Sequence, residues 1–255
     1  MINLDEILKE NIIRSVSKGQ LVFLYETLIS LLPKPDCFLE IGAYDASFSV
    51  RMRYGYPSSV IYAFEAGTPN YIFNKDKTDF ESLNINYLNL AVSNKNELID
   101  YYISKKHLDP DLPPTVFGAN GIIKRIDESE YFDVLKIESI ILDSFLEDKN
   151  LIDSTKCMWI DVEGSSREVL SGSEKSLENT MAIFVEVEEI SRWNNQWLRK
   201  DIENYLKSKN FFPIARDFED NTQYDIIFLK ENVLKDSIIE DQIRKYFDSI
   251  SLTLY

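Results

Sequence analysis

The stretch Trp159-Ile160-Asp161-Val162-Glu163-Gly164 begins as an apolar β-strand and ends in two carboxylates and a glycine. Carboxylates are poor strand residues and are costly to bury without a partner, so two of them at a strand end indicate a site rather than a core. In open α/β sheets, ligands bind in the crevice outside the carboxyl ends of the strands. The stretch therefore predicts an α/β fold with a ligand site at Asp161 and Glu163.

The rest of the chain alternates between apolar strands and amphipathic helices. Strands are predicted at 37–43, 60–65, 85–92, 97–103, 134–142, 157–160, 181–188, 211–216 and 224–230. This order is typical of a doubly wound, mostly parallel sheet, here with an antiparallel closing strand. Helices are predicted from near Asn3, at 167–177 and from about Asn195 to Lys209, and apolar residues at helical spacing flank the sheet region on both sides. We therefore expect an N-terminal helical cap (1–35), a sheet domain (36–230) and a C-terminal helical tail (231–255).

Composition and charge limit the partners of this chain. At 255 residues it fits one large domain, and its net charge of −15 argues against a general phosphate-backbone binder, so no nucleic-acid partner is expected. We find no signal peptide and no run near the ~20 apolar residues of a membrane helix, so a cytoplasmic protein without a membrane partner is predicted. Cys37 and Cys157 each open an apolar strand and are expected to be reduced core residues.

The turn after the first strand bears on the type of nucleotide. A dinucleotide fingerprint needs a second glycine where the backbone approaches a pyrophosphate, and Tyr44 occupies that place after Gly42. A single glycine turn suits a ligand without a pyrophosphate, such as the amino-acid portion of S-adenosylmethionine. Glu65 ends the second strand, where an acid can accept hydrogen bonds from both ribose hydroxyls. Together, the glycine turn and this acid predict a nucleoside site.

Five motifs in this order resemble those of the FkbM-type methyltransferases. They are Glu40–Ala43, Ile61–Glu65, Leu142–Phe145, Ile160–Gly164 and Glu168–Gly172. The resemblance covers roughly residues 38–188, and the run 161–172 is its most specific part. It implies S-adenosylmethionine as the cofactor, the class I methyltransferase fold, and methyl transfer to hydroxyls of sugars or natural products.

The resemblance also implies positions for the cofactor. Gly42 would face its methionine portion and Glu65 its ribose, while Ala91 and Val92 would lie beside adenine or serve equally as sheet core. The full predicted cofactor set is Glu40, Gly42, Ala43, Tyr44, Glu65, Ala66, Ala91, Val92 and Asp161. Two positions depart from the family, which usually has glycine at Ala46 and proline at Ala66. We expect the methyl group of Ala46 to narrow the turn without abolishing it.

The carboxylates suggest the chemistry of the transfer. An alcohol is a weak nucleophile at neutral pH, so a positioned base or a metal helps. Asp161 is predicted as base or substrate anchor, and Glu163 either assists it or caps the following helix. Glu186 and Glu188 end the neighbouring strand and are predicted to contact the substrate. Asp161 and Glu186 are also candidate ligands of Mg²⁺ or Mn²⁺, the alternative being an acid network that orients sugar hydroxyls.

The segment 104–133 has no clear periodicity, and long connections of this type are often active-site lids. It contains His107, which is either a general base or a solvated loop residue. Lys105, Lys106 and Arg125 are predicted to meet a phosphate, which would suit a nucleotide-linked sugar. Trp193 stands beside a polar run and is predicted to stack on the sugar.

Three functions follow from these observations. The first is O-methylation of a sugar, nucleotide-linked and used for surface polysaccharide biosynthesis. The second is O-methylation of a small-molecule natural product, which predicts an apolar pocket and no role for the basic lid residues. The third is a non-catalytic nucleotide-binding module that binds the cofactor without transferring its methyl group. A homodimer through the terminal helices is compatible with all three.

Overall fold

The computed structural model describes residues 17–104, 113, 115–116, 118–126, 132–234 and 236–250. The strands are β1 (Cys37–Ile41), β2 (Val60–Phe64), β3 (Asn86–Leu88), β4 (Ala91–Ser93), β5 (Leu98–Ser104), β6 (Phe132–Ile141), β7 (Lys156–Ile160), β8 (Thr180–Glu188), β9 (Phe211–Arg216) and β10 (Gln223–Lys230). The helices are α1 (Ser17–Leu31), α2 (Ser47–Gly55), α3 (Thr68–Lys75), α4 (Leu142–Asp148), α5 (Ser166–Ser171), α6 (Arg199–Ser208) and α7 (Ser237–Ser249), with a 3₁₀ turn at Ser176–Asn179.

Seven of these strands form one sheet in the order β3-β2-β1-β7-β8-β10-β9. The neighbouring strands from β3 to β8 pair in parallel, and β10 pairs antiparallel with both β8 and β9. The strand order reverses between β1 and β7, which is the point where such sheets bind ligands. This topology confirms the predicted class I methyltransferase fold with an antiparallel closing strand.

A second sheet has the order β4-β6-β5 and stands beside the first. The single strand predicted at 85–92 is therefore wrong, because the chain divides it between the two sheets as β3 and β4. Asn89 lies at the division, and its amide donates to the carbonyls of Glu65 (2.9 Å) and Ala66 (3.1 Å). These bonds fix the bend that carries β4 and the small sheet over the end of β2.

Two apolar cores lie on the two faces of the large sheet. Helices α1, α2 and α7 cover one face, and α4, α5 and α6 cover the other. The Tyr25 hydroxyl of α1 donates to the carbonyls of Met158 (2.6 Å) and Ala182 (3.2 Å), which ties this helix to β7 and β8. The terminal helices thus share one core with the sheet, while the predicted division at 35 and 230 stays a prediction.

Several local predictions need adjustment. The helix predicted at 167–177 ends at Ser171, because Gly172 lies against Ser93, where a Cβ atom would be 2.2 Å from the carbonyl oxygen. The helix predicted from Asn195 begins at Arg199, since Asn195 has a left-handed backbone (φ 56°). The helix predicted near Asn3 lies outside the described residues. Cys37 and Cys157 are buried free thiols, as predicted. Within the described ranges, no helix has the length and apolarity to cross a membrane.

Candidate active site

A cavity of about 250 Å³ lies at the point where the strand order reverses. The ends of β1, β2 and β7 form one side of its wall, and the small sheet and residues 120–122 complete it. Glu65 and the pair Asp161 and Glu163 all line this one cavity. The structure therefore brings the predicted nucleoside residue and the predicted catalytic acids to the same enclosed space.

The turn after β1 requires its glycine for steric reasons. Gly42 has φ +80°, and a Cβ atom there would lie 1.7 Å from the carbonyl oxygen of Asp161. The amide of Asp161 in turn donates to the Ile41 carbonyl (2.9 Å), so the β1 turn and the end of β7 position one another. Ala46 adopts a left-handed backbone (φ 55°), which costs a non-glycine residue about 1–2 kcal/mol. This cost explains the glycine usual in the family, and the turn is kept here with alanine.

Glu65 is held by three donors at the end of β2. Its carboxylate accepts from the amides of Tyr44 (2.8 Å) and Gly67 (2.7 Å) and from the side-chain amide of Asn70 (3.3 Å). Burial raises the pKa of Glu65 to about 7, and these hydrogen bonds oppose the rise. A carboxylate offers about four lone-pair sites, so Glu65 keeps capacity for a ligand hydroxyl. Sequence reasoning found Glu65 and missed Asn70, which only the first turn of α3 brings to it.

The other predicted cofactor residues divide into two groups. Those that line the cavity, as expected, are Gly42, Tyr44, Ala66, Ala91, Val92 and Asp161. Glu40 and Ala43 do not line it. The Glu40 carboxylate instead accepts from the amides of Phe48 (3.2 Å) and Ser49 (2.8 Å) at the start of α2. Glu40 thus stabilises the helix that follows the turn, and a direct contact between Glu40 and a cofactor stays a prediction.

Three carboxylates meet where β7 and β8 end side by side. One carboxylate oxygen from each of Asp161, Glu163 and Glu186 lies within 4.8 Å of the other two. Glu163 and Gly164 have φ 49° and φ 80°, so the chain turns sharply to bring Glu163 inward. Burial raises the pKa of Glu163 to about 8, assisted by the charges of Asp161 and Glu188. We call these three residues the acid cluster.

A lysine from the first helix lies next to the acid cluster. The Nζ atom of Lys18 is 3.0 Å from Oδ2 of Asp225, whose side chain is 1% exposed. Asp225 on β10 lies directly opposite Glu186 in the antiparallel pairing with β8. Burial raises the pKa of Asp161, and the Lys18 charge opposes this rise. Sequence reasoning missed both residues, although a carboxylate interrupting an apolar strand was a signal for Asp225.

Two predicted substrate residues are buried. The Glu188 carboxylate accepts from the side-chain amide of Gln196 (2.6 Å) and is 2% exposed. Trp193 is 1% exposed, and a Cβ atom on Gly164 would lie 2.6 Å from its ring. The prediction that Trp193 stacks on a sugar is therefore wrong, because the ring already packs against the turn that carries Glu163. The Arg125 guanidinium lies over this ring, 5.0 Å from its centroid.

Part of the predicted lid contributes to the site. Gly121 pairs with Tyr102, and Asn120 and Ile122 line the cavity. Further along, residues 124–126 pair with residues 192–194, through bonds from the Ile126 amide to the Arg192 carbonyl (2.9 Å) and from the Asn194 amide to the Lys124 carbonyl (3.0 Å). Lys105, Lys106 and His107 lie outside the described residues, and their roles stay predictions.

Comparison with known proteins identifies the family of this chain. A sequence profile of the methyltransferase FkbM domain matches residues 36–213. The 2-O-methyltransferase NoeI of Sinorhizobium fredii is 23% identical over 207 residues, which cover 80% of this chain and 83% of NoeI. The protein is an S-adenosylmethionine-dependent methyltransferase. More narrowly, the chain belongs to the FkbM-domain methyltransferase family, as the resemblance of its motifs predicted.

Solved structures of methyltransferases are similar at low sequence identity. Precorrin-6y C5,15-methyltransferase from Geobacter metallireducens is 14% identical, with a TM-score of 0.44, and the match covers 87% of this chain and 92% of that one. Magnesium protoporphyrin IX methyltransferase from Synechocystis, solved with bound S-adenosylmethionine, is 10% identical, with a TM-score of 0.43 and coverage of 84% and 79%.

Proposed function

We propose that the protein transfers a methyl group from S-adenosylmethionine to a hydroxyl of a sugar, and that this sugar is nucleotide-linked and used for surface polysaccharide biosynthesis. One observation supports this most: a single cavity contains Glu65, placed for a ribose, together with Asp161 and Glu163, placed for an acceptor. The name of the relative NoeI, a 2-O-methyltransferase, supports oxygen as the acceptor atom.

The residues present fit the cofactor. Glu65 offers a buried carboxylate to the ribose hydroxyls, and the turn at Gly42 brings bare backbone to the cavity wall. The side chains of Ala91 and Val92 supply apolar surface for adenine. When bound, S-adenosylmethionine supplies an electrophilic methyl group on its sulfonium centre. The chain must then hold an acceptor hydroxyl nearby and remove its proton.

We assign the removal of that proton to Asp161. A carboxylate oxygen of Asp161 would accept the hydroxyl proton as the acceptor oxygen takes up the methyl group that S-adenosylmethionine would supply, with S-adenosylhomocysteine as the leaving group. Burial raises the pKa of Asp161 and so makes it a stronger base than an exposed aspartate, while the nearby Lys18 charge favours its ionised form. General bases of this type contribute about 10²–10⁴-fold to the rate.

The acid cluster favours a polyhydroxylated acceptor over an apolar natural product. Carboxyl oxygens accept hydrogen bonds, and a carboxyl group that holds a proton also donates one, while sugar hydroxyls donate and accept in close succession. Asp161, Glu163 and Glu186 offer three such acceptors within 4.8 Å. The nucleotide part of the proposal relies on Arg125, whose guanidinium lies over the Trp193 ring, and on Lys105 and Lys106.

A divalent cation is the further part of the proposal. Oxygen ligands on three side chains suit Mg²⁺ or Mn²⁺, and the acid cluster supplies them from Asp161, Glu163 and Glu186. The same three carboxylates could equally orient sugar hydroxyls without an ion. A chelator separates these two uses of the cluster, since only the first requires added metal.

The deciding experiment is a screen of nucleotide sugars with S-adenosylmethionine labelled at the methyl group. Each reaction is run with added Mg²⁺, with Mn²⁺ and with EDTA, and free sugars and small phenolic acceptors form parallel sets. Label transfer to nucleotide sugars, lost in Asp161→Asn, supports the proposal. Transfer to phenols alone supports natural-product methylation, and cofactor binding with no transfer to any acceptor supports a non-catalytic module.

A further inference from the structure

The small sheet places one tyrosine hydroxyl at the cavity wall. Tyr101 lies on β5, is 2% exposed and lines the cavity. Its ring packs with Ala91, Ile103 and Ile137 in the core of the small sheet. Strand alternation turns Tyr102 to the opposite side, where it is only half-buried. The ring of Tyr101 is therefore fixed by packing while its hydroxyl reaches the cavity.

This hydroxyl stands beside the ribose acid. A Cβ atom built on Gly67 would lie 2.5 Å from the Tyr101 hydroxyl and 2.8 Å from Oε1 of Glu65. The two oxygens thus approach the same point, and only a glycine at 67 leaves the space between them open. Among the described residues, no hydrogen bond reaches the Tyr101 hydroxyl, so this group can bond to a molecule in the cavity that it lines.

We infer that Tyr101 is a cofactor-binding residue whose hydroxyl donates a hydrogen bond to a ribose hydroxyl held by Glu65. This inference rests on the proposed function, because it assumes that Glu65 binds the ribose. A ribose hydroxyl both donates and accepts, so it can donate to Glu65 while accepting from Tyr101. The phenol stays protonated for this role, since burial and the charges of Glu65 and Glu163 raise its pKa well above the ordinary value.

The inference gives the small sheet a function. The large sheet supplies Glu65 and the glycine turn, and the small sheet supplies Tyr101, which contacts the ribose from the other side. Neither the spacing of Tyr101 nor its neighbours in sequence marks it, because β5 looks like an ordinary amphipathic strand.

The test is calorimetric titration with S-adenosylhomocysteine, the product form of the cofactor, which is not consumed. Tyr101→Phe removes only the hydroxyl, and Tyr102→Phe is the matched control from the other side of the strand. We expect Tyr101→Phe to weaken binding about ten-fold, as the loss of one hydrogen bond does, and Tyr102→Phe to bind like the wild type. The experiment is repeated with analogues lacking the 2′- or the 3′-hydroxyl. Tyr101→Phe and the wild type should have the same affinity for the analogue that lacks the contacted hydroxyl.

Each other outcome has a definite meaning. Unchanged affinity in Tyr101→Phe, with normal wild-type binding, overturns the inference and leaves the proposed function intact. If Tyr101→Phe binds both deoxy analogues more weakly than the wild type does, by the same factor, the inference is also overturned, because such a loss indicates a packing role for Tyr101. A wild type that binds no S-adenosylhomocysteine overturns the proposed function and the inference together. Thermal melting checks folding, and Tyr101→Met supplies a second variant, with the same expected loss, should Tyr101→Phe fold poorly.

Discussion

Carboxylates at two places along the carboxyl edge of the large sheet have opposite surroundings. Glu65 at the end of β2 receives three hydrogen bonds from residues close to it in the chain or on the adjoining turn. The acid cluster at the ends of β7 and β8 consists of acids that face one another. One oxygen of Glu186 is buried with no hydrogen bond from the described residues.

This difference shows which half of the candidate site is already ordered in the absence of ligands. Glu65 is oriented by local donors, so the side of the site that we propose for the ribose is preorganised and little ordering remains for binding. The acid cluster carries mutual repulsion, and Glu163 has a backbone conformation that costs a non-glycine residue about 1–2 kcal/mol. Strain of this type collects at functional sites. The acceptor side therefore gains most from a ligand rich in donors or positive charge.

The largest expected effect tests the reactive half. Asp161→Asn keeps the shape of the side chain and removes the base, so we expect kcat to fall about 10²–10⁴-fold. Single-turnover rates with labelled cofactor measure the loss, and calorimetry with S-adenosylhomocysteine separates it from any loss of cofactor binding. Turnover close to that of the wild type would show that Asp161 is not the base.

The preorganised half is tested by Glu65→Ala. Removing a carboxylate that accepts from two ribose hydroxyls should weaken S-adenosylmethionine binding about 100-fold, since each bond to a charged group contributes about 1.5–3 kcal/mol. Glu40→Gln is the companion variant, because Glu40 also ends a strand but bonds to α2. A larger loss in Glu40→Gln than in Glu65→Ala would reverse the assignment of the two acids.

A third prediction concerns pH. Burial raises the pKa of both Glu40 and Glu65 to about 7, against about 4.3 in an unfolded chain. Between these values the folded state binds more protons than the unfolded state, so the free energy of unfolding falls as pH rises. We expect a loss of about 5 kcal/mol between pH 5 and pH 8 in denaturant titrations, about half of it from each acid. Glu40→Gln should flatten this slope, and stability that rises over the same range would contradict the prediction.

The smallest expected effect is on stability, and it concerns Lys18, the positive charge beside the acid cluster. Lys18→Met leaves Asp225 buried without its cation, and because Lys18 is half-exposed we expect a destabilisation of only about 1 kcal/mol. Asp225→Asn in the same chain should recover most of it, since the unpaired charge is then gone. Chemical denaturation of both single variants and the double variant gives the coupling. A coupling of zero would mean that the pair contributes nothing to stability.

The sequence predicted the parts of the site that follow from strand ends. Asp161, Glu163 and Glu186 come directly at the ends of apolar runs, and parallel neighbours bring such ends together. Glu65 is found by the same rule. The doubly wound, mostly parallel type of sheet follows from the alternation of strands and helices, and the family motifs extend this prediction to the class I fold.

The rest depended on contacts between distant segments. Lys18 reaches Asp225 from a helix whose own pattern shows only an apolar face. Tyr101 reaches the cavity because β4 leaves the large sheet at Asn89, and no local pattern predicts that departure. Trp193 was misassigned because its polar neighbours in the sequence suggested a surface position. Its ring is buried instead, because Gly164 has no side chain and leaves room for it.

The position of helix α1 has a consequence for synthesis of the chain. Its buried side chains share a core with α7, and Lys18 pairs with an aspartate more than two hundred residues later. A ribosome releases Lys18 of α1 more than two hundred residues before Asp225, so the helix must wait for these partners before it can dock. Contacts of such long sequence separation slow folding and leave apolar surface exposed in the meantime. The positive charge of Lys18 can therefore join the acid cluster only after β10, which carries Asp225, has been synthesised.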